Sequence, residues 1–274
     1  MTVRAVIAGH EVGDGRKLLL VAGPCVMESE AHALAHARKV KDLAAKHGVP
    51  AVFKASFDKA NRSSGKSFRG PGLEAGLAAF EAVKRETGLP CTTDVHETWQ
   101  AEPAGKVVDL LQVPAFLCRQ TDLVMACARH GRSVSVKKGQ FLAPREMRHA
   151  VAKCREAGNG NVMLIERGAT FGYGNLVVDM RALVLMRELG VPVCLDATHA
   201  VQLPGGAGDV TGGERQFVAP LARAAAAVGI DALFVEIHED PATARSDGPN
   251  SLDFDMADRL LADVLAIRRA LGQP

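Results

Sequence analysis

Side chains that could bind anions or a metal ion form two chemical groups in the sequence. The cationic group is Lys54, Lys59, Arg62, Lys137, Lys138 and Arg167. If these cations converge on one site they repel one another in the empty protein, so the group predicts a highly anionic ligand carrying phosphate or carboxylate. The second group is Cys25, His199, Glu236 and Asp247. A thiolate, an imidazole and two carboxylates can hold a divalent transition metal, although taken singly Cys25 and His199 fit ordinary core positions equally well.

The pattern of apolar segments suggests how such distant residues could meet. Short runs typical of strands recur along the chain: LLLVAGPC (18–25), AVFKAS (51–56), CTTDVH (91–96), DLLQVPA (109–115), VSVKKG (134–139), VMLIERG (162–168), VPVCLDATH (191–199) and ALFVEIHE (232–239). Strands that are apolar on both faces are typical of parallel sheets with crossover helices. Eight such units predict an α/β fold, a single (β/α)8 TIM barrel, whose functional side chains lie at the carboxyl ends of the strands. The open doubly wound sheet is disfavoured because no GxGxxG follows the first run.

Helical patterns and a short extension complete the predicted domain. Amphipathic spacing predicts helices over residues 29–47, 72–87, 121–130, 144–157, 176–189, 217–228 and 253–271. Val3–Ile7 and the Gly-Asp-Gly at 13–15 predict a small β-hairpin. The expected organisation is therefore a hairpin extension over 1–16 and one catalytic barrel domain over 17–274. The glycine-rich PGGAGDVTGG at 204–213 is interpreted as a mobile lid or an oligomer contact.

Composition and charge disfavour several classes of protein. A formal net charge of +2 provides no global field suited to nucleic acid. The apolar run Leu18–Ala22 is too short to span a membrane and does not resemble a signal peptide, so a cytoplasmic protein is expected. The six cysteines include no CxxC pair, and most are expected to be reduced core residues.

Nine motifs give the sequence a specific resemblance. They are AGPCVMES, FKASFDKANRSS, SFRGPG, TDVHE, QVPAFLCRQTDL, VKKGQFLAP, ERGATFGYGNLVVDMR, DATHAVQLPGG and EIHEDPATARSDGPN. Together, and in this order from about residue 17 to residue 250, they resemble the 3-deoxy-D-manno-octulosonate 8-phosphate synthases. The resemblance implies an aldol-type condensation of phosphoenolpyruvate with arabinose 5-phosphate, which releases inorganic phosphate in lipopolysaccharide (Kdo) biosynthesis.

The resemblance also implies roles for individual side chains. It assigns phosphoenolpyruvate to Lys54, Lys59, Lys137 and Arg167, and arabinose 5-phosphate to Asn61, Arg62 and Ser63, with Asp94 and Gln140 also binding substrate. It implies a homotetramer in which Arg119 reaches the phosphate of the sugar bound by a neighbouring subunit. The expected catalytic residues are Lys59, His199, Asp247 and Cys25.

The residue after AGP separates two branches of these synthases. Metal-independent enzymes carry Asn there and metal-dependent ones carry Cys, and this chain has Cys25. The resemblance therefore implies a divalent metal held by Cys25, His199, Glu236 and Asp247. The ligand types accept zinc, iron, manganese or cadmium, so the metal itself stays open.

Three alternatives compete with this interpretation. The sister synthases that use erythrose 4-phosphate in the shikimate pathway share the barrel and the metal set, but they read KPRTS where this chain reads KANRSS. Sialic acid synthases carry a further C-terminal domain for which the chain has no room. A non-catalytic sugar phosphate sensor would be expected to have lost metal ligands or some of the lysines assigned to phosphoenolpyruvate. One departure from the expected motif is Gly65-Lys66 after NRSS, which puts the stiffness of that loop in doubt.

Overall fold

A closed barrel of parallel strands forms the centre of the structure, a computed structural model that describes residues 3–62, 64–170, 174–207 and 210–274. In chain order the strands are β1 (Arg4–Ile7), β2 (His10–Gly13), β3 (Leu19–Gly23), β4 (Ala51–Lys54), β5 (Cys91–Asp94), β6 (Leu110–Val113), β7 (Val134–Lys137), β8 (Val162–Glu166), β9 (Ala169–Thr170), β10 (Leu176–Val177), β11 (Val193–Asp196), β12 (Gln202–Ala207), β13 (Val210–Gly213) and β14 (Ala232–Glu236). The barrel runs β3-β4-β5-β6-β7-β8-β11-β14, and β14 pairs with β3 to close it. The predicted (β/α)8 barrel is thereby confirmed.

Helices cover the outside of the barrel. They are α1 (Glu30–His47), α2 (Leu73–Thr87), α3 (Thr98–Val107), α4 (Thr121–His130), α5 (Arg148–Glu156), α6 (Arg181–Arg187), α7 (Val218–Val228) and α8 (Phe254–Ala270). In α1 the buried residues Ala33, Ala37, Val40 and Ala44 recur every three or four positions and face the strands. The helix begins after Ser29, whose hydroxyl accepts the N–H of residue 32 at 3.1 Å. No helix among the described residues is long and apolar enough to cross a membrane.

The N-terminal hairpin closes one end of the barrel. Strands β1 and β2 pair antiparallel, as the sequence predicts for this extension. Ile7 and Val12 are fully buried, and they pack in one cluster with barrel residues such as Leu19 and Met163. The N–H of Ala8 also donates to the side chain of Ser133, just before β7, at 3.0 Å. The hairpin therefore seals the amino-terminal end of the strands, opposite the end at which functional side chains are expected.

Two helix predictions need correction. Helix α3 (Thr98–Val107) was not expected, because Pro103 and Gly105 obscure its pattern. The helix expected over 176–189 begins only at Arg181 in α6. Its first residues form β10 instead, which pairs with β9 and so cannot be helical.

The glycine-rich segment at 204–213 forms a β-hairpin over most of its length. Strand β12 pairs antiparallel with β13, with Gln202 opposite Gly213. Residues 208–209 lie outside the described part of the chain. The hairpin follows β11, so it rises from the same end of the barrel as the predicted site residues.

Candidate active site

The carboxyl ends of the barrel strands carry most of the predicted side chains. The last residues of five strands are Lys54 (β4), Asp94 (β5), Lys137 (β7), Asp196 (β11) and Glu236 (β14). Cys25 and Arg167 follow the ends of β3 and β8 by one or two residues. Because all eight strands are parallel, these positions lie at the same end of the barrel, which we call the mouth.

The four predicted metal ligands come together in this mouth. Donor atoms of Cys25, Glu236 and Asp247 all lie within 4.8 Å of one another. The Sγ of Cys25 lies 3.2 Å from Oδ2 of Asp247. Nε2 of His199 lies 3.5 Å from Oε1 of Glu236 and 3.7 Å from Oδ2 of Asp247. In a tetrahedral zinc site neighbouring ligand atoms are about 3.3 to 3.7 Å apart, so these separations suit a single divalent ion.

Two further features of this cluster suit a metal ion. Oε2 of Glu236 is buried and has no hydrogen-bond partner within the described residues. Burial, together with the charges of Asp247 and Glu236, raises the pKa of the Cys25 thiol. A cation would relieve both, because it takes up the free carboxylate oxygen and displaces the thiol proton.

Asp196 orients the imidazole of His199. Its Oδ2 lies 2.7 Å from Nδ1 of His199, and its Oδ1 accepts the backbone N–H of the same residue at 3.0 Å. Although burial raises the pKa of Asp196, the charges of His199 and Lys137 outweigh it and hold that pKa below its usual range. With Nδ1 facing Asp196, Nε2 is the nitrogen left to bind a metal, as in carboxylate–histidine–metal triads.

Asp247 has an unusual backbone conformation. Its φ of 50° lies in the left-handed region, which Asp and Asn tolerate better than most residues. The turn is held because the Asp247 carbonyl accepts the N–H groups of Asn250 and Ser251 at 3.0 Å each. The Ser251 hydroxyl donates to the same carbonyl, also at 3.0 Å. The backbone thus points this carboxylate at the cluster without help from a regular element.

The lysines of the cationic group do not simply repel one another. Lys54 lies 2.8 Å from Glu236, Lys137 lies 2.6 Å from Asp196, and Lys138 lies 3.5 Å from Glu166. The expectation of mutual repulsion is therefore wrong for these three lysines. The strand ends that carry these lysines also carry carboxylates, so each of the three buried ammonium groups has a carboxylate partner.

Asp94 lies on the other side of the mouth. Its two oxygens accept hydrogen bonds from Ser56 Oγ and Gln112 Nε2, each at 2.5 Å. Burial raises the pKa of Asp94, but the charges of Lys54 and Lys59 outweigh burial and hold that pKa well below its usual range. Asp94 is therefore ionised at neutral pH, and it faces the cationic side chains.

Lys59 lies among the acidic side chains of the site. Burial lowers its pKa, but Cys25, Glu236 and Asp94 outweigh burial, so the pKa of Lys59 is raised above its ordinary value. Its backbone N–H donates to the carbonyl of Arg69 at 2.7 Å, which fixes the loop that carries it. The ammonium is thus charged at neutral pH.

Arg167 and Gln140 keep polar atoms free for a ligand. The Arg167 guanidinium donates to the carbonyl of His199 at 3.1 Å and to the side chain of Gln202. Its Nε is buried and has no partner among the residues that the structure describes, and the same holds for Oε1 of Gln140. Buried groups of this kind favour occupation by an anion or another polar ligand.

The predicted sugar loop is joined to the loop of Asp247. Arg62 donates from Nε to the carbonyl of Phe68 at 3.0 Å and from its guanidinium to the carbonyl of Arg245 at 2.6 Å. The Arg245 guanidinium stacks over the Phe68 ring at 4.6 Å. Asn61 is exposed, and Ser63 lies outside the described residues.

Arg119 lies apart from the central cluster. It is exposed, and its carbonyl accepts a hydrogen bond from Lys153 at 3.1 Å. With Glu146 and His149 these residues line a separate cavity of about 310 Å³. Within one chain, the structure does not bring Arg119 to the other predicted site residues.

Three polar residues of the site were not predicted from the sequence. Ser246 accepts a hydrogen bond from the Cys25 thiol at 3.0 Å. Thr198 donates from its hydroxyl to Asp196 at 3.2 Å and accepts the N–H of Glu236 at 3.1 Å. Ser56 is the donor to Asp94 described above. Their only signal in the sequence is that each lies one or two residues from a predicted or strand-end residue.

A cluster of three histidines lies at the edge of the mouth. His36 accepts the N–H of Glu239 on Nε2 at 3.2 Å and contacts the carbonyl of His32 through Nδ1 at 2.8 Å. His238 accepts the N–H of Asp240 on Nδ1 at 3.1 Å, which leaves its proton on Nε2, 3.2 Å from Nε2 of His32. With these nitrogens engaged, the cluster fixes the turn after β14 and is poorly suited to bind a metal.

Comparison with known proteins identifies the family of the chain. The profile of the DAHP synthetase I family matches residues 4–268. The 2-dehydro-3-deoxyphosphooctonate aldolase of Syntrophotalea carbinolica is 57% identical over 261 residues, which cover 95% of this chain and 94% of that protein. The protein of the same name from Alkalilimnicola ehrlichii is 55% identical over 261 residues, with 95% and 94% covered. The one from Synechococcus sp. is 57% identical over 273 residues, with 99% and 96% covered.

Proposed function

The chain belongs to the DAHP synthetase I family, and from that premise we propose that it is a 3-deoxy-D-manno-octulosonate 8-phosphate synthase. The reaction condenses phosphoenolpyruvate with D-arabinose 5-phosphate and water, and it releases inorganic phosphate. The relatives named above carry the name of the same eight-carbon product. The product belongs to the synthesis of Kdo and lipopolysaccharide.

The observation that carries the proposal is that anion-binding and metal-binding groups share one mouth. The guanidinium of Arg167 is close enough to Asp196, Asp247 and Glu236 for their charges to raise its pKa, although burial lowers that pKa more. Lys59 faces Glu236 and Asp94 in the same way. Two substrates that each carry a phosphate group fit such a site better than a neutral ligand does.

We assign the phosphoenolpyruvate site to Lys59 and Arg167, together with Lys54 and Lys137. Lys54 and Lys137 already neutralise Glu236 and Asp196. Lys59 and Arg167 therefore provide the charge that a carboxylate and a phosphate would meet, and Gln140 offers an additional polar contact. Charge-assisted hydrogen bonds from these groups hold the substrate and exclude water from its reacting face.

The sugar phosphate is assigned to the loop of Asn61, Arg62 and Ser63. Arg62 supplies charge for a phosphate, and its bond to the carbonyl of Arg245 already fixes its orientation. Arg119 is exposed and remote from the other residues, which is compatible with a contribution to a neighbouring subunit's site.

The proposed condensation joins the two substrates bound in this way. C3 of phosphoenolpyruvate attacks the aldehyde carbon of the sugar, water adds at C2, and the resulting hemiketal phosphate loses inorganic phosphate by cleavage of its carbon–oxygen bond. Lys59 and Arg167 stabilise negative charge on the phosphate as it leaves. Asp247 lies at the centre of the mouth, where a carboxylate oxygen can hold or move a proton at the aldehyde oxygen or the attacking water. His199 contributes as a ligand that Asp196 orients.

A divalent ion is proposed at Cys25, His199, Glu236 and Asp247, because their donor atoms and the free oxygen of Glu236 suit one. Bound there, zinc, iron, manganese or cadmium would act as a Lewis acid toward an aldehyde or a water molecule. Asp196 would keep the imidazole of His199 turned toward the ion.

Condensation with erythrose 4-phosphate is the alternative within the same family. It is not favoured, because relatives that are 52 to 57% identical carry the octonate name. A sensor without turnover is disfavoured as well, since no predicted metal ligand and no lysine assigned to phosphoenolpyruvate is missing from the sequence.

Assembly, domain division and compartment are part of the proposal. A homotetramer with sites near its subunit interfaces would bring Arg119 to a neighbouring mouth. The hairpin extension over 1–16 and the barrel over 17–274 form the proposed division, and the phosphorylated substrates suggest the cytoplasm as the compartment.

The test is phosphate release from phosphoenolpyruvate with each aldose, with the product identified by mass. Arabinose 5-phosphate should support turnover, EDTA should abolish it, and an added divalent ion should restore it. Arg167→Ala should reduce turnover at least about 100-fold, whereas Arg223→Ala, on the exposed side of α7, should not. Turnover with erythrose 4-phosphate alone would contradict the proposal in favour of the sister reaction. Sugar phosphate binding without any product would favour the sensor.

A further inference from the structure

Two buried charged residues at the mouth have no place in the proposed reaction. Lys138 and Glu166 are each 1% exposed, and their charged atoms lie 3.5 Å apart. We call this pair the clamp. Lys138 directly follows β7, and Glu166 is the last residue of β8, so the pair spans two neighbouring strand ends.

Glu166 binds the backbone of the residues that follow it. Its Oε1 accepts the N–H of Arg167 at 3.1 Å and the N–H of Gly168 at 2.7 Å. Gly168 has a φ of 90°, a conformation that favours glycine and that lets both N–H groups point to one oxygen. Oε2 of Glu166 has no partner within the described part of the chain.

Lys138 binds the two loops to each other. Its ammonium donates to the carbonyls of Gly139 at 3.3 Å, Leu142 at 3.5 Å and Gly168 at 3.4 Å. Thr170 reinforces the junction by donating its N–H to the carbonyl of Gln140 at 2.9 Å. The loop after β7 and the loop after β8 are therefore fixed as one unit.

We infer that the clamp is a positioning device that holds the Arg167 guanidinium in the phosphoenolpyruvate site, an inference that rests on the proposed function. Glu166 acts through the backbone of Arg167 itself, and it does not contact the substrate. The guanidinium has two further contacts, at His199 and Gln202, and both lie on the neighbouring β11 side. Without the clamp, the backbone that carries Arg167 loses its anchor on the β7 side. A shift of about 1 Å in such a group is enough to weaken binding strongly.

Two substitutions separate the hydrogen bonds from the charge. Glu166→Ala removes the acceptor of two N–H groups. Glu166→Gln keeps an oxygen acceptor and places its amide nitrogen where Oε2 now has no partner. Calorimetric titration of phosphoenolpyruvate should show at least a tenfold higher Kd for Glu166→Ala and a Kd within threefold of the unmodified protein for Glu166→Gln. The KM for the sugar phosphate should change less than threefold in both variants.

Asp231→Ala is the matched control. Asp231 is also a buried carboxylate that accepts a backbone N–H, from Val193 at 2.9 Å, and pairs with an arginine, Arg187 at 3.0 Å. It lies near the opposite end of the barrel, where its carbonyl accepts the N–H of Leu19, the first residue of β3. Asp231→Ala should lower the melting temperature and leave the Kd for phosphoenolpyruvate unchanged.

Each contrary result has a distinct meaning. If Glu166→Ala binds phosphoenolpyruvate within threefold of the unmodified protein, the inference is overturned and the proposed function stands. Equal losses in the Ala and Gln variants, or an equal loss in Asp231→Ala, would also overturn it, since the cause would then be charge or general instability. If Glu166→Ala does not fold, Lys138→Met replaces it, with the same expected rise in Kd. An unmodified protein that neither binds phosphoenolpyruvate nor releases phosphate would remove the proposed function and the inference together.

Discussion

At the scale of single residues, Cys25 is the proposed metal ligand that separates the two branches of these synthases. Its thiol contacts Asp247 and Ser246 and lies within 4.8 Å of a carboxylate oxygen of Glu236. Cys25→Asn replaces a thiolate ligand with a neutral amide, so metal affinity should fall at least about tenfold while some condensation activity remains. Metal content by mass spectrometry and phosphate release measure the two effects. Cys127→Ala, a buried cysteine on α4, should keep its metal; a normal metal content in Cys25→Asn would rule out Cys25 as a ligand.

Asp94 predicts a pH dependence of stability. Because its pKa is lower in the folded state, it stabilises the fold above its ordinary pKa of 3.8, and this contribution is lost as the pH falls through and below that value. Asp94→Asn should lower the free energy of unfolding by about 3 kcal/mol at neutral pH, because Lys54 and Lys59 lose a buried partner. It should also flatten the loss of stability between about pH 5 and pH 3.

Urea unfolding at a series of pH values measures this difference. Asp42→Asn serves as control, because Asp42 is exposed on α1. That variant should follow the pH profile of the unmodified protein. A profile of Asp94→Asn that runs parallel to that of the unmodified protein would show that Asp94 titrates normally in the folded state.

At the scale of elements, the contact between α3 and α4 depends on Gly105. A Cβ at this position would lie 2.3 Å from the carbonyl oxygen of His130, the last residue of α4. Gly105→Ala gains about 1 kcal/mol of helix propensity, but overpacking against a backbone atom costs about 1 to 3 kcal/mol. We expect a net loss, visible as a lower melting temperature.

Gly160→Ala provides the comparison at an open position. An added Cβ there meets nothing within 4 Å, so the substitution should be neutral or stabilise by up to about 1 kcal/mol. If both alanine variants were equally stable, the packing explanation for Gly105 would be wrong.

Elements also show what the sequence could and could not reveal. The barrel was predictable because eight apolar runs such as Val162–Glu166 read as strands without long-range information. Helix α3 was not predictable, because Pro103 and Gly105 have low helix propensity. The helix is stabilised by its packing against α4. The pairing of Lys137 with Asp196 joins residues 59 positions apart, and strand order alone does not say which lysine meets which carboxylate. Both residues stand at strand ends in the sequence, so their location was predictable while their contact was not.

At the scale of the whole molecule, the N-terminal hairpin and the predicted site lie at opposite ends of the barrel. Ile7 is fully buried in the hairpin that seals the amino-terminal end. Ile7→Ala should lower the free energy of unfolding by about 2 to 5 kcal/mol, because it leaves a cavity in a closed core. The KM values for both substrates should not change, since the mouth lies at the other end.

Val6 offers a control in the same strand. It is 45% exposed, so Val6→Ala should change stability by less than about 0.5 kcal/mol. Denaturant unfolding and steady-state kinetics of the two variants give the comparison. A raised KM in a folded Ile7→Ala protein would mean that the two ends are coupled.

The left-handed backbone at Asp247 limits how the proposed metal site could be redesigned. A φ of 50° is tolerated by Asp, Asn and Gly, whereas branched or longer side chains are strained there. Efforts to change metal preference by exchanging ligands are therefore restricted at this position to the few short residues that the turn accepts. Cys25, His199 and Glu236 are the practical targets for engineering. In evolution the same stereochemical restriction would let the choice of metal drift through position 25 while the carboxylate at 247 stays in place.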